Sequence, residues 1–282
     1  MLASHAIIID AAFQEWYKNL MSALPPMTEQ QQDTEASCLN NGQTEGATAT
    51  FGRTEESEIP LEIDVQDLNF DLQLVLDGFS QCKGDDGQLY LDGYLRAYSE
   101  LNKFLKLLGT VFNFVSHDIQ KKVTTLQCYR KGGAGDYYYS IQSMIEYERE
   151  NNLMMSSDQQ SGSRTLLRLH RGLEFITGFL SEIHKASEDS GLGSVTSELY
   201  GRTLAKFHNW ILAKTVGAVL LMMPNKKTII DRVILGSKLV AGGSSAVRAH
   251  NEALMPKVVE VMTSVYNLTQ KLYEDYELLD LP

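Results

Sequence analysis

From Trp210 to Met223 the chain reads Trp-Ile-Leu-Ala-Lys-Thr-Val-Gly-Ala-Val-Leu-Leu-Met-Met, apolar almost all round a helix and interrupted by one charge, Lys214. A helix of this kind has little polar face to offer water, so the pattern predicts burial on several sides. Two roles follow from that: a central core helix, or a helix that lines a cavity for hydrocarbon chains. No segment of the chain reaches about 18 uncharged apolar residues, so no membrane span is expected.

Around this stretch the periodicity is helical from about residue 62 onward. Leu68, Leu72, Val75, Leu76 and Phe79 fall on one face between Asp67 and Cys82, and Leu95, Leu101, Phe104, Leu105 and Leu108 form a stripe between Leu89 and Leu108. Further helices are predicted near 111–129, 136–150, 163–186, 196–223, 226–236 and 245–275, separated by Gly132-Gly133, a polar loop at Ser156–Gly162 and the Gly191/Gly193 pair. No alternating strand and no internal repeat is visible. The expected fold class is all-α, in one domain over 62–282.

Residues 1–61 read differently. Ile9, Phe13, Trp16, Leu20 and Leu24 predict a short amphipathic helix over 6–24, either a surface for a membrane or partner or a segment that docks on the body. After Pro25-Pro26, residues 25–61 are polar, rich in Thr, Glu and Gly and short of large hydrophobes, the composition of a disordered linker. This extension holds nine acids and two bases, so much of the formal charge of −11 lies in front of a nearly balanced body. A net-negative chain is a poor nucleic-acid partner, because phosphate contacts need clustered Lys and Arg. Cys38, Cys82 and Cys128 are odd in number and far apart, with no metal spacing, so neither zinc nor another metal is expected and a reducing, cytoplasmic setting fits. The first residues lack the basic run of a signal peptide.

Catalytic templates are missing. There is no Walker loop, dinucleotide fingerprint, HExxH or GxSxG, and Gly132-Gly133-Ala134-Gly135 lacks the Lys-Ser/Thr of a phosphate loop. Two charged pairs stand out instead. Asp118 and Lys122 are four apart on one helix face, as are Arg164 and Arg168, with Arg171 close by. Paired guanidinium groups grip oxyanions through parallel N–H donors and stay charged when partly desolvated. The same spacing also describes an ordinary solvated helix face. His208, in Lys206-Phe207-His208-Asn209-Trp210, reads as structural by itself, and Trp210 as core or as an interfacial anchor.

Taken jointly, Phe104–Thr110, Asp118 with Lys122, Arg164–Arg171, Phe207–Trp210 and the C-terminal Gln270–Tyr273 and Leu278–Pro282 resemble the glycolipid transfer protein family, most closely its ceramide-1-phosphate transfer branch. The resemblance runs from about 62 to 282. It implies a two-layer helical sandwich enclosing an apolar lipid pocket, no cofactor and no enzymatic activity. It also implies roles at matching positions. Asp118 looks like the aspartate that bonds the sphingoid amide and hydroxyl, and His208 like the histidine on the ceramide carbonyl. Lys122, Arg164 and Arg168 look like the phosphate grip, with Arg171 behind them. Where glycolipid-selective relatives carry Asn and Trp, this chain has Lys122 and Arg168. Candidate wall residues for the chains are Phe104, Phe112, Phe114, Phe175, Phe179, Val219, Leu220 and Met223. Trp210 and Lys214 would touch the membrane, although the branch tends to carry a basic pair where Ala213-Lys214 supplies one cation.

The reading is a carrier of ceramide-1-phosphate or a similar anionic sphingolipid, cytoplasmic and transiently peripheral on membranes. The alternative is a lipid-sensing module that signals through its N-terminal extension. Removing residues 1–61 separates the two, since a carrier keeps its transfer activity.

Overall fold

The computed structural model describes residues 68–109, 112–156, 160–237 and 243–282, and of Phe114 the backbone alone. The helix expected over 6–24 and the linker over 25–61 lie outside them. Nine α-helices stand among the described residues: α1 (Leu72–Cys82), α2 (Leu91–Leu107), α3 (Asn113–Lys131), α4 (Ile141–Glu150), α5 (Gly162–Lys185), α6 (Gly193–Arg202), α7 (Trp210–Leu220), α8 (Lys226–Gly236) and α9 (Gly243–Asp275). No strand occurs there, only isolated bridges such as Phe70 with Ser237. The fold is all-α.

Side chains at the helix starts explain several boundaries. Asp71 accepts the Gln73 N–H at 2.9 Å to open α1, while its own N–H donates to Glu100 of α2 at 2.7 Å. Ser140 and Ser143 form a reciprocal cap on α4. Such caps satisfy N–H groups that have no partner within the helix.

α1 and α2 cross at close range because glycines face the crossing. A Cβ on Gly93 would lie 2.6 Å from the Cys82 amide nitrogen, and one on Gly78 would lie 2.8 Å from that of Ala97. Below the crossing the core is aromatic. Tyr94 stacks on Tyr98 at 5.2 Å, with Phe79 edge-on to both. α2 packs on α3 and α3 on α5, and the long α9 lies along α5 and α1.

Two expectations fail in one place. The helix predicted over 196–223 is broken: α6 ends at Arg202, a short 3-10 turn spans Ala205–Phe207, and His208 is extended. Asn209 then restarts the chain by accepting the Leu212 N–H at 2.9 Å. An Asn that caps so well competes with helix continuation. The apolar stretch from Trp210 is not enclosed on several sides either. Of α7 only Leu220 is buried, while Trp210 is 73% and Ile211 66% exposed. α7 packs mainly on α6, so its remaining surface faces outward.

Candidate functional site

α3 supplies the first pair. Lys122 and Asp118, one turn apart, form an ion pair, with the Lys122 side chain 13% and the Asp118 side chain 64% exposed. The carboxylate is thus the accessible member.

α5 supplies the arginines. Its N-terminus is fixed by Ser161, which accepts the Arg164 N–H, and by Glu148, a buried carboxylate from α4. Glu148 accepts from the Ser161 hydroxyl at 2.6 Å, the Gly162 N–H at 2.5 Å and the Ser163 N–H at 3.0 Å. A carboxylate at a helix N-terminus meets unpaired N–H groups and a favourable dipole. Arg164, half-buried, donates to the Ser156 carbonyl at 3.3 Å. Arg168 is exposed, one turn on.

The broken connection between α6 and α7 supplies His208. Its Nδ1 lies 2.6 Å from the hydroxyl of Tyr200, a half-turn before the end of α6. Burial pushes the imidazole below its ordinary range, and the Asp118 carboxylate acts in the opposite sense. Asp118 and His208, ninety positions apart in sequence, therefore lie within electrostatic reach. Phe207 stacks under the guanidinium of Arg171, 4.2 Å from its centroid. Arg171 also donates to the carbonyls of Leu279 at 2.8 Å and Leu281 at 3.2 Å. Burial lowers its basicity and the neighbouring Arg168 charge adds to that.

The arrangement brings Asp118 to Lys122 and to His208, and Arg168 to Arg171; Arg164 is turned to the loop that precedes α5. Of the wall candidates, Phe104, Phe112, Phe175, Phe179, Leu220 and Met223 are buried and Val219 is half-buried. The Phe114 side chain lies outside the described residues. Trp210 and Lys214 are exposed, on a surface that also shows Phe207, Ile211, Leu221 and Met222. Two residues were not anticipated. Tyr200 carried no local signal. Glu148 had one available, an acid shortly before the polar loop at Ser156–Gly162. Chemically, the site is an accessible carboxylate and a neutral imidazole beside cations, bordered by apolar surface.

A family model, Glycolipid transfer protein (GLTP), matches residues 89–234. The ceramide-1-phosphate transfer protein of Rattus norvegicus is 35% identical over 226 residues, which covers 78% of this chain and all of that one. The zebrafish protein of that name (Danio rerio) is 35% identical over 219 residues, 76% of this chain and 98% of its own length. Among solved structures, mouse ceramide-1-phosphate transfer protein superimposes with a TM-score of 0.67 at 33% identity, covering 76% of this chain and 100% of that one. The human protein in complex with 12:0 ceramide-1-phosphate gives 0.65 at 30% identity, with the same coverage. The chain belongs to the glycolipid transfer protein family, a family of lipid transfer proteins with a two-layer helical sandwich fold.

Proposed function

We propose that this protein moves ceramide-1-phosphate between membranes without covalent chemistry. Each buried methylene favours leaving water by roughly 0.8 kcal/mol, so a lipid with about thirty of them does not cross water alone at a useful rate. A carrier that offers an equally apolar interior makes extraction nearly neutral. In this reading the exposed Asp118 carboxylate accepts from the sphingoid amide and hydroxyl. With the Tyr200 hydroxyl donating to Nδ1, His208 carries its proton on Nε2 and donates to the ceramide carbonyl. Lys122, Arg164 and Arg168 hold the phosphate, and the buried phenylalanines receive the chains. Trp210 and Lys214 contact the bilayer from the cytoplasmic side.

The observation that carries this reading is Arg168. It is a cation left without an ion-pair or hydrogen-bond partner among the described residues, beside Arg171. A phosphate monoester carries about −1.5 to −2 charges near neutral pH, which such a group complements. A neutral sugar leaves it unpaired. Competitive transfer of ceramide-1-phosphate against a neutral glycosphingolipid tests the assignment. A strong preference for the phosphate lipid is expected, and equal rates would overturn it.

A further inference from the structure

Tyrosines crowd the surface just beyond the end of α3. Asp136-Tyr137-Tyr138-Tyr139 runs through a 3-10 turn, Gly135–Tyr138, that precedes α4. Tyr138 is buried and donates to Glu148 at 3.1 Å, while Tyr137 and Tyr139 on either side of it in the chain are exposed. Each exposed ring has an aromatic neighbour. Tyr137 stacks on Tyr147 at 4.5 Å and 14°, and Tyr139 leans on Tyr90 at 6.4 Å. The turn that carries them is tied down from three sides. Arg130 of α3 donates to the Gly135 carbonyl at 3.1 Å, the Leu91 N–H of α2 to the Tyr139 carbonyl at 3.0 Å, and the Ser143 hydroxyl of α4 to the Tyr137 carbonyl at 2.8 Å. A surface fixed before binding loses little ordering entropy on contact.

Tyr137 and Tyr139 serve neither the core nor the headgroup site. Asp118 lies near the start of α3 and the turn follows its last residue, Lys131, a helical run of about 20 Å. Among the described residues the hydroxyls of Tyr137, Tyr139 and Tyr147 have no hydrogen-bond partner. The surface therefore offers flat rings and open O–H donors. A polyproline II segment is the complement of both: its pyrrolidine rings are apolar plates, and its carbonyls make no bonds within the segment.

Charge narrows the choice further. The exposed acids on this stretch are Asp85, Asp86, Asp136 and Glu146, against the exposed cations Lys131 and Arg149. Arg130 is spent on Asp92. The Tyr90 hydroxyl donates to Asp86 at 2.8 Å, and Asp85 lies within electrostatic reach of the same phenol. A second copy of this chain would set these carboxylates against themselves, and an anionic bilayer would meet like charge. We propose that the face built by Tyr137 and Tyr139 docks a proline-rich segment of a partner protein, with a basic end of that segment set against Asp85 and Asp86. Docking there leaves the lipid site open.

Calorimetric titration of the full chain tests this. The probes are a polyproline peptide ending in an arginine pair, the same peptide with an uncharged end, and a glycine–serine peptide with the arginine pair. Saturable binding of the first is expected, with the second weaker and the third absent. Tyr137→Ala and Tyr139→Ala, both at exposed positions, are each expected to weaken the first peptide by roughly tenfold at an unchanged helical spectrum. Should either fail to fold, Tyr137→Phe and Tyr139→Phe keep the rings, lose the donors, and are expected to weaken it by about two- to tenfold. Asp85→Asn is expected to weaken the arginine-ended peptide and spare the uncharged one. No binding by the wild type, or equal binding of the glycine–serine peptide, overturns the proposal. So does an unchanged affinity in the folded tyrosine variants. If those variants instead change vesicle partitioning or oligomeric state while no peptide binds, the face belongs to a bilayer or to a second copy.

Discussion

Asp118 is the exposed partner of a half-hidden lysine, so its removal is expected to harm ligand capture and spare the fold. Asp118→Val should abolish transfer with an unchanged melting curve, because a buried lipid N–H left unpaired costs about 1–3 kcal/mol. Wild-type transfer by a folded variant would refute the assigned role. Arg168→Leu should reduce the preference for ceramide-1-phosphate over a neutral glycolipid roughly tenfold, read from competitive transfer. A different residue, His170, is expected to contribute to stability against acid. His170 is buried, stacked on Tyr266 at 4.4 Å and bonded through Nε2 to Gln270 at 2.8 Å. Burial pushes its pKa down to about 4. The unfolded chain protonates near about 6.5, so it binds the proton first as pH falls. The contribution is fully present above that value and is lost between about 6.5 and about 4, with about 2 kcal/mol gone by pH ~5. Denaturant titrations across that range should show a shallower pH dependence in His170→Leu; an equal slope would rule out this residue. At this scale the sequence was informative where partners share a helix, as Asp118 and Lys122 do. The nearness of Asp118 to His208 had no sequence signal other than the family resemblance, because it is made by α3 and a chain break far downstream.

At the scale of elements, hydrophobic periodicity located most helices, since an apolar stripe is a local property of the chain. It misjudged α7, because a stripe says that a helix is apolar and not what covers it. The outward Trp210 and Ile211 are expected to meet a bilayer. Trp210→Ala should lower vesicle partitioning more than lipid affinity in detergent, and unchanged partitioning would assign the residue another role. Periodicity is equally blind to close crossings. Gly93 abuts backbone of α1, which does not move aside as a flexible side chain would. Gly93→Val is therefore expected to destabilise the protein by about 1–3 kcal/mol, seen as a lower denaturant midpoint.

Over the whole molecule, α9 and the segment after it close onto parts made much earlier. The Tyr273 hydroxyl donates to the Ser163 carbonyl at 2.8 Å, Gln270 meets His170, and the carbonyls of Leu279 and Leu281 hold Arg171, spans of 100 to 110 positions. Such distant pairings form slowly, because loop closure precedes any gain from contact. Chains emerge from the ribosome at about 5–20 residues per second. A nascent chain that has just completed α5 therefore leaves Arg171 and His170 without these partners for roughly 5–20 seconds more. Until residues 270–281 have been made, the side chains of Arg171 and His170 and the Ser163 carbonyl lack the bonds that tie α5 to α9 and the segment after it.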